Sequence, residues 1–417
     1  MLGASVGQVP WLGDLWRFLD DRLSFLERCA RAGDATSVRL GPVRTVVLSH
    51  PEHVREVFVR EAKHFSRGIT AAPMRLLLGE GLLLSEGATW KRQRRDVQPL
   101  FGSDQAEMWR PQIEAATAAL VSRWRDGETV DIHHEMHRLT LDIAARIFFG
   151  VASDERGRLH PALEAMLGED VFTAVGSLGP FRWPPRAGRA LRGIETLVAE
   201  RIDRARDDPG SFLAALAQVS RDRRETRDQL VTFLFTAEDT TAVALTWLWH
   251  LLARHPRAEA ELRAAIAAPA GGAELVKCAI DETLRLYPPV VGQARQAISD
   301  CEIAGMRVGR RDLVLFSQWI IQRDPRWFDE PLAFRPERWR DGLEDRLHAF
   351  AFFPFGGGRR VCIGRTLATT IGLTVVPFVA RRFRLAATSE LEPALHTVIS
   401  PRPRDGLPMK IRRTKPN

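Results

Sequence analysis

Residues 230–252, LVTFLFTAEDTTAVALTWLWHLL, constrain the fold of this chain more than any other stretch. The segment is nearly long enough to cross a bilayer, which takes about 20 apolar residues in helical form. Glu238 and Asp239 stand near its middle, however, and a carboxylate deep in lipid is costly and rare. A helix that is apolar on every side yet polar at its centre belongs instead inside a large soluble protein. The chain has the means to surround it. Its 417 residues, 45% of them hydrophobic, exceed the usual size of a single core and allow one large domain or two closely joined lobes.

Apolar residues three and four apart predict further helices over residues 54–65, 89–100, 110–124, 135–149, 187–207, 227–254 and 258–286. β-like stretches lie at 35–48, where Gly41 and Pro42 suit a hairpin turn, at 302–316 and at 408–411. The expected architecture is mainly α with a small β-sheet subdomain. The β-rich lobe would draw on roughly residues 35–66 and 290–320 together with the C-terminal strands. No repeat, low-complexity tract or linker interrupts the pattern, so residues 1–417 read as one domain.

The first 22 residues, MLGASVGQVPWLGDLWRFLDDR, contain neither the apolar core of a secretion signal nor a membrane span. Trp11, Leu15, Trp16 and Phe18 alternate with Asp14, Asp20 and Asp21, which suits a short docked helix. Cys29, Cys278, Cys301 and Cys362 are far apart and form no CxxC pair, a pattern expected of a disulfide-free cytoplasmic protein. Net charge is +8 and the pI about 10.0. No nucleic-acid motif accompanies that charge, and the arginines are scattered through helical patterns, so a solvated basic surface is the reading, without nucleic acid as a partner.

Five short patterns carry chemistry. In FGGGRRVCIG (355–364) a lone cysteine, Cys362, sits among arginines just before an apolar helical run. Electropositive surroundings favour the thiolate, the metal-binding form, and glycines let the backbone pass close to a large flat group. Asp239 followed by Thr240 pairs an acid with a hydroxyl inside the long helix, an arrangement able to pass protons into a buried site. Its plainer alternative, threonine hydroxyls bonding back to helix carbonyls, is compatible with it. Glu282 and Arg285 lie three apart on one helical face and can pair. FRPERW (334–339) and WKRQRR (90–95) complete the set. Taken singly, most are unspecific: any helix can carry E-x-x-R, and a glycine turn can precede a helix with an incidental cysteine.

Taken together and in this order, the patterns resemble the cytochrome P450 family of haem-thiolate oxygenases, of soluble bacterial type. Phe355, Gly358, Arg360, Cys362 and Gly364 match its F-x-x-G-x-R-x-C-x-G ligand loop. At about one chance in twenty per position, a chain of this length matches accidentally of order once in several thousand cases. The resemblance runs from about residue 51 to 409. It implies the family fold, with a long central distal helix and a proximal cysteine-ligand loop, haem b as cofactor and Cys362 as the axial ligand of its iron. It also implies that Asp239 and Thr240 manage protons during O2 activation. Trp90, Arg94, Arg295 and Arg360 would hold the haem propionates, with Phe355 beside the haem. Glu282, Arg285 and Arg338 would form a clamp that holds the ligand loop. Two departures stand in the distal helix: Thr236 and Ala237 replace the usual Ala-Gly.

The reaction so implied is hydroxylation or epoxidation of a hydrophobic small molecule, such as a terpenoid, polyketide or fatty acid. The pocket would be lined by residues 69–84, Phe235, Thr236, Val290, Val291 and Ile399, with a lid over 172–185 containing Phe172, Phe181 and Trp183. No flavin or nicotinamide segment is evident, so electrons are expected from a ferredoxin and its reductase. Lys91, Arg92, Arg95, Arg359 and Arg365 would offer a basic docking face. A soluble monomer without membrane anchor is the expected form. A peroxide-driven or isomerising enzyme of the same fold, or a non-catalytic haem sensor, is the alternative; the Asp239–Thr240 pair argues against both. His133, His134 and His137 (HHEMH) bring to mind a zinc site, but no HExxH order or third ligand supports it, so a surface or packing role is expected.

Overall fold

Alternating apolar residues form the predicted hairpin: β1 (Ala35–Leu40) and β2 (Val43–Leu48) pair antiparallel, Leu40 opposite Val43 across Gly41 and Pro42. The computed structural model describes residues 12–71, 74–75, 78–150, 185–205, 208–269, 271–340, 342–397 and 400–414. The chain divides into two compact units, the first formed by Met1–Ala72, Asp281–Cys362 and Ile399–Pro401. Here β3 (Phe65–Ser66), β5 (Gln293–Ala297) and β8 (Leu313–Phe316) complete a five-stranded sheet in the order β1-β2-β8-β5-β3. Strand β8 runs parallel to β2 and antiparallel to β5. All four of its residues are buried, as an LVLF strand requires. The ribbon β6 (Cys301–Ile303) and β7 (Met306–Val308) fills the interval before it.

The docked N-terminal helix is present as α1 (Leu12–Asp20), followed by α2 (Arg22–Ala32). Asp21 caps α2, accepting from the Ser24 N–H at 3.0 Å, and the buried Asp14 accepts from the Arg39 N–H of β1 at 3.3 Å. The predicted helix over 54–65 is instead three short pieces: an α turn at Pro51–Arg55, a π turn at Glu56–Arg60 and a 3-10 turn at Ala62–His64. Apolar spacing is similar for all three, so it does not set the hydrogen-bond pitch.

The second unit comprises Pro73–Ile280, Ile363–Val398 and Arg402–Asn417. It holds α3 (Gly87–Val97), α4 (Gln105–Val121), α5 (Ile132–Phe149), α6 (Pro185–Arg204), α7 (Phe212–Val219), α8 (Arg223–Arg254) and α9 (Pro256–Ala267). Helix α10 (Ala273–Leu286) belongs to it up to Ile280, and α11 (Arg365–Ala380) follows the cysteine loop. The predicted continuous helix over 258–286 breaks at Gly271 and Gly272, both at positive φ; a Cβ on Gly272 would stand 2.7 Å from the Ala265 carbonyl carbon.

The long apolar segment is α8, buried from Leu230 through Phe235 and again from Leu245 to Leu252, with Glu238 and Asp239 buried between. Asp222 caps it, accepting from the Glu225 N–H at 2.8 Å. Helix α5, capped by Asp131, lies along α8, and α4 lies against α11. Phe101, Phe148, Phe212 and Phe233 interlock edge-to-face and tilted at 5.0–6.4 Å. Among the described residues no helix is long and apolar enough to cross a membrane.

The C-terminal strands depart from expectation. Beside the short β10 (Leu395–Thr397) and β11 (Pro401–Pro403), β12 (Pro408–Arg413) pairs with β4 (Thr129–Asp131) and β9 (Phe383–Ala387) in a separate three-stranded sheet of the helical unit. Strand β9 directly follows α11, so the terminal strand finds a local edge there.

Candidate functional site

In the first unit everything converges on Glu282, which is 0% exposed. Arg285 meets it in a two-pronged pair, Nε to Oε2 at 2.9 Å and Nη2 to Oε1 at 2.8 Å. Arg338 Nε donates to Oε1 at 3.0 Å, joined by Trp339 Nε1 to Oε2 at 2.9 Å and the Arg335 N–H to Oε1 at 2.9 Å. The remaining guanidinium protons of Arg285 go to the carbonyls of Gln322, Pro331 and Ala333. The three charged residues expected to pair therefore do so. Trp339 and the Arg335 amide were not foreseen.

Gln322, also unforeseen, carries this clamp toward the cysteine loop. Its Nε2 donates to the Leu284 carbonyl at 2.9 Å, and its Oε1 accepts from the Phe353 N–H at 3.0 Å. The chain then turns: Gly356 N–H donates to the Phe353 carbonyl and Cys362 N–H to the Phe355 carbonyl, both at 2.9 Å. The turn passes close to its neighbours. A Cβ on Gly357 would fall 2.3 Å from the Phe350 ring, and one on Gly358, whose φ is +62°, would fall 2.4 Å from the Phe58 carbonyl oxygen. Gly358→Ala is expected to cost about 1–3 kcal/mol, since strain and backbone overlap act together. A urea midpoint unchanged by this substitution would show that the loop is not held as tightly as its packing indicates.

Cys362 is exposed at the tip of this loop, whereas Cys29 and Cys278 are buried. Burial pushes the Cys29 thiol up to about 11, and burial also raises Cys301, so neither is a ready thiolate. Arg295 is 7% exposed and lies over the Phe58 and Phe316 rings at 5.3 and 5.8 Å. Phe355 and Arg360 are half-buried, as is Val290, and Val291 is buried.

In the second unit α8 presents Asp239 and Thr240. Asp239 is 2% exposed, and Arg402 Nη2 donates to its Oδ1 at 2.5 Å. Thr240 Oγ1 donates to the Thr236 carbonyl and Thr236 Oγ1 to the Thr232 carbonyl, each at 2.8 Å. The back-bonding expected of helical threonines is thus present, and it leaves the Thr240 oxygen able to accept a hydrogen bond. Phe235 is buried; Trp90, Arg94 and Thr236 are half-buried. Ile399, residues 172–184 and residues 72–73 and 76–77 of the loop expected to line the pocket lie outside the described residues.

The histidines correct the sequence reading. His134 is exposed, but His137 Nδ1 lies 2.6 Å from Glu238 Oε1 and its Nε2 3.8 Å from Asp239 Oδ1. His133 stands edge-on to His137 at 4.5 Å between ring centres. The four-residue spacing that places both rings on one face of α5 was visible. Their partner, 101 residues away, was not. Among the arginines read as a docking face, Arg92 is spent on Glu225 at 2.5 Å and Asp96 at 3.5 Å. Lys91, Arg95 and Arg365 are exposed in this unit and Arg359 in the other.

The sequence profile of the cytochrome P450 family matches residues 4–409. A cyclooctat-9-en-7-ol 5-monooxygenase of Streptomyces melanosporofaciens is 31% identical over 92% of this chain and 89% of its own length. A pentalenene oxygenase of Streptomyces avermitilis is 30% identical over 96% and 95%. Among solved structures, a retinoic acid-bound cyanobacterial cytochrome P450 superposes with a TM-score of 0.86 at 24% identity, covering 99% of each chain.

Proposed function

The chain belongs to the cytochrome P450 family and is a haem-thiolate monooxygenase, and from that premise we propose that it oxidises an apolar terpenoid skeleton with electrons from a ferredoxin and its reductase. The substrate class rests on the two Streptomyces relatives, whose names specify terpenoid-type substrates. On this reading residues 1–417 act as one domain, a cytoplasmic monomer.

The residues fit a haem. The observation that carries the reading is the exposed Cys362 thiol on a loop tied through Phe353 and Gln322 to the Glu282 clamp. A thiol so held meets a metal without paying to order the loop, and the close passage at Gly357 and Gly358 leaves no room for side chains there. When bound, the haem supplies the oxidation of a C–H or C=C bond by O2 and two electrons. Cys362 would hold the iron through its thiolate. Trp90, Arg94, Arg295 and Arg360 would hold its propionates, and Phe355 would lie beside it. Phe235, Thr236, Val290, Val291 and Ile399 hold the substrate and exclude water. Asp239 passes protons to the Thr240 hydroxyl, whose own hydrogen bond to the Thr236 carbonyl fixes its direction.

Exposed basic residues suit an acidic electron donor. Lys91, Arg95, Arg359 and Arg365 would meet it, with Arg92 contributing little because its charge is already paired. Arg359→Glu is expected to slow reduction by ferredoxin about tenfold at low salt and to leave reduction by dithionite unchanged. Equal ferredoxin rates in stopped flow would remove this role. The substrate proposal is tested by titrating cyclic di- and sesquiterpene hydrocarbons and fatty acids against the haem absorption spectrum. Spectral shifts with terpenoids are expected, and response to fatty acids alone would overturn the assignment.

A further inference from the structure

Four ionisable side chains meet between α5, α8 and β11, and their charges have to balance. Asp239 and Glu238 are buried carboxylates at 2% and 3% exposure. Arg402 supplies one positive charge, 2.5 Å from Asp239 Oδ1. The second has to be a proton, and the geometry gives it to His137, whose ring lies between Glu238 Oε1 and Asp239 Oδ1. His137 is held above the usual imidazole range: burial opposes its charge, but Glu238 and Asp239 outweigh burial and the nearby Arg402. Burial pushes Glu238 up as well, so this pair retains a proton well beyond ordinary carboxylate conditions. His133 is pushed down to about 3 by burial, His137 and Arg402, against the weaker pull of Asp131 and Asp239, and stays neutral.

A divalent cation is the competing occupant, since His137, Glu238 and Asp239 donor atoms lie within 4.8 Å of one another. Arg402 already occupies Asp239 Oδ1, however, and with one proton the cluster is neutral without a metal. Two buried atoms there, His137 Nε2 and Glu238 Oε2, have no hydrogen-bonding partner among the described residues. His137 Nε2 faces Asp239 Oδ1 at 3.8 Å, so that carboxylate is the acceptor its proton would reach.

We propose that His137 is the residue that recharges Asp239 with protons, and that Glu238 is its buried counter-charge. The proposal rests on the Asp239–Thr240 reading given above. At 20% side-chain exposure His137 still reaches solvent. Its Nε2–H bond breaks as an O–H bond forms on Asp239; no electron changes hands, and neutral His137 regains its proton from water. The 3.8 Å gap exceeds hydrogen-bond reach, so a side-chain rotation closes it before transfer. Once protonated, Asp239 holds Arg402 less tightly and is free to turn toward Thr240. His137 thus acts through Asp239 and is a positioning and supply residue.

The test combines 15N-imidazole NMR of the diamagnetic ferrous-carbonyl holoenzyme with the pH profile of product formed per electron consumed. Wild type, His137→Asn, Glu238→Gln and Asp239→Asn are compared. In wild type the product fraction is expected to fall as pH rises through the His137 titration seen by NMR. Glu238→Gln should move that titration about one unit lower, a tenfold loss of proton affinity, and the falling limb should move with it. His137→Asn should abolish the limb; should that variant not fold, Glu238→Gln alone carries the comparison. A limb that stays in place while the titration moves would overturn the proposal, as would a His137 titration insensitive to Glu238. If Asp239→Asn uncouples the enzyme and the limb ignores His137, only this proposal falls. If Asp239→Asn is silent, the underlying Asp239–Thr240 reading falls with it.

Discussion

Glu282→Ala is expected to lower the stability of the protein by about 3–5 kcal/mol, enough to leave little chain with its cysteine loop in place. Removing the carboxylate strands Arg285, which is 0% exposed, as a buried charge without its counter-ion. It also takes the acceptor from the Arg338, Trp339 and Arg335 donors. The loss then reaches the site: Arg285 and Gln322 share contacts, and Gln322 orients Phe353 at the entry to the loop. Glu337→Ala provides the contrast. Its side chain is 50% exposed and its ion pair is with the partly exposed Arg335, so about 1 kcal/mol or less is expected. Urea denaturation and haem content of the two variants decide the matter. A Glu282→Ala midpoint within about 1 kcal/mol of wild type would mean that the clamp does not hold the loop.

Asp239→Asn and Thr240→Ala are each expected to reduce product formation about a hundredfold while electron consumption continues. The threonine variant is the cleaner of the two. Thr240 is half-buried and its hydroxyl bonds within its own helix, so alanine removes a proton carrier with little structural cost. Asp239→Asn also weakens the pairing with Arg402, so its melting temperature has to be measured beside its turnover. Full coupling of electron consumption to product in Thr240→Ala would exclude this hydroxyl from proton delivery.

Much of the fold was legible because its strongest signals are local. The apolar run 230–252 with acids at its centre permits only a buried helix, and α8 is that helix. Signals failed where one periodicity fits several structures. Residues 54–65 keep a helical spacing through α, π and 3-10 turns, and apolar residues on both sides concealed the break at Gly271 and Gly272. The same division runs through the site. Glu282 and Arg285 are three apart and announce themselves. Gln322 and Trp339 act on α10 from 37 to 57 residues away, and no short motif records that. Arg402 and His137 reach Asp239 and Glu238 across 163 and 101 residues, which is why HHEMH reads from sequence as surface or packing.

The most direct measurement is the absorption spectrum of the purified protein, reduced and exposed to carbon monoxide, with Cys362→Ala alongside. Wild type is expected to show the strongly red-shifted Soret band of a thiolate-ligated ferrous carbonyl, and Cys362→Ala to lose it. A wild-type band typical of neutral-thiol or histidine ligation, or one that survives in Cys362→Ala, would contradict the assignment of Cys362 as the haem ligand.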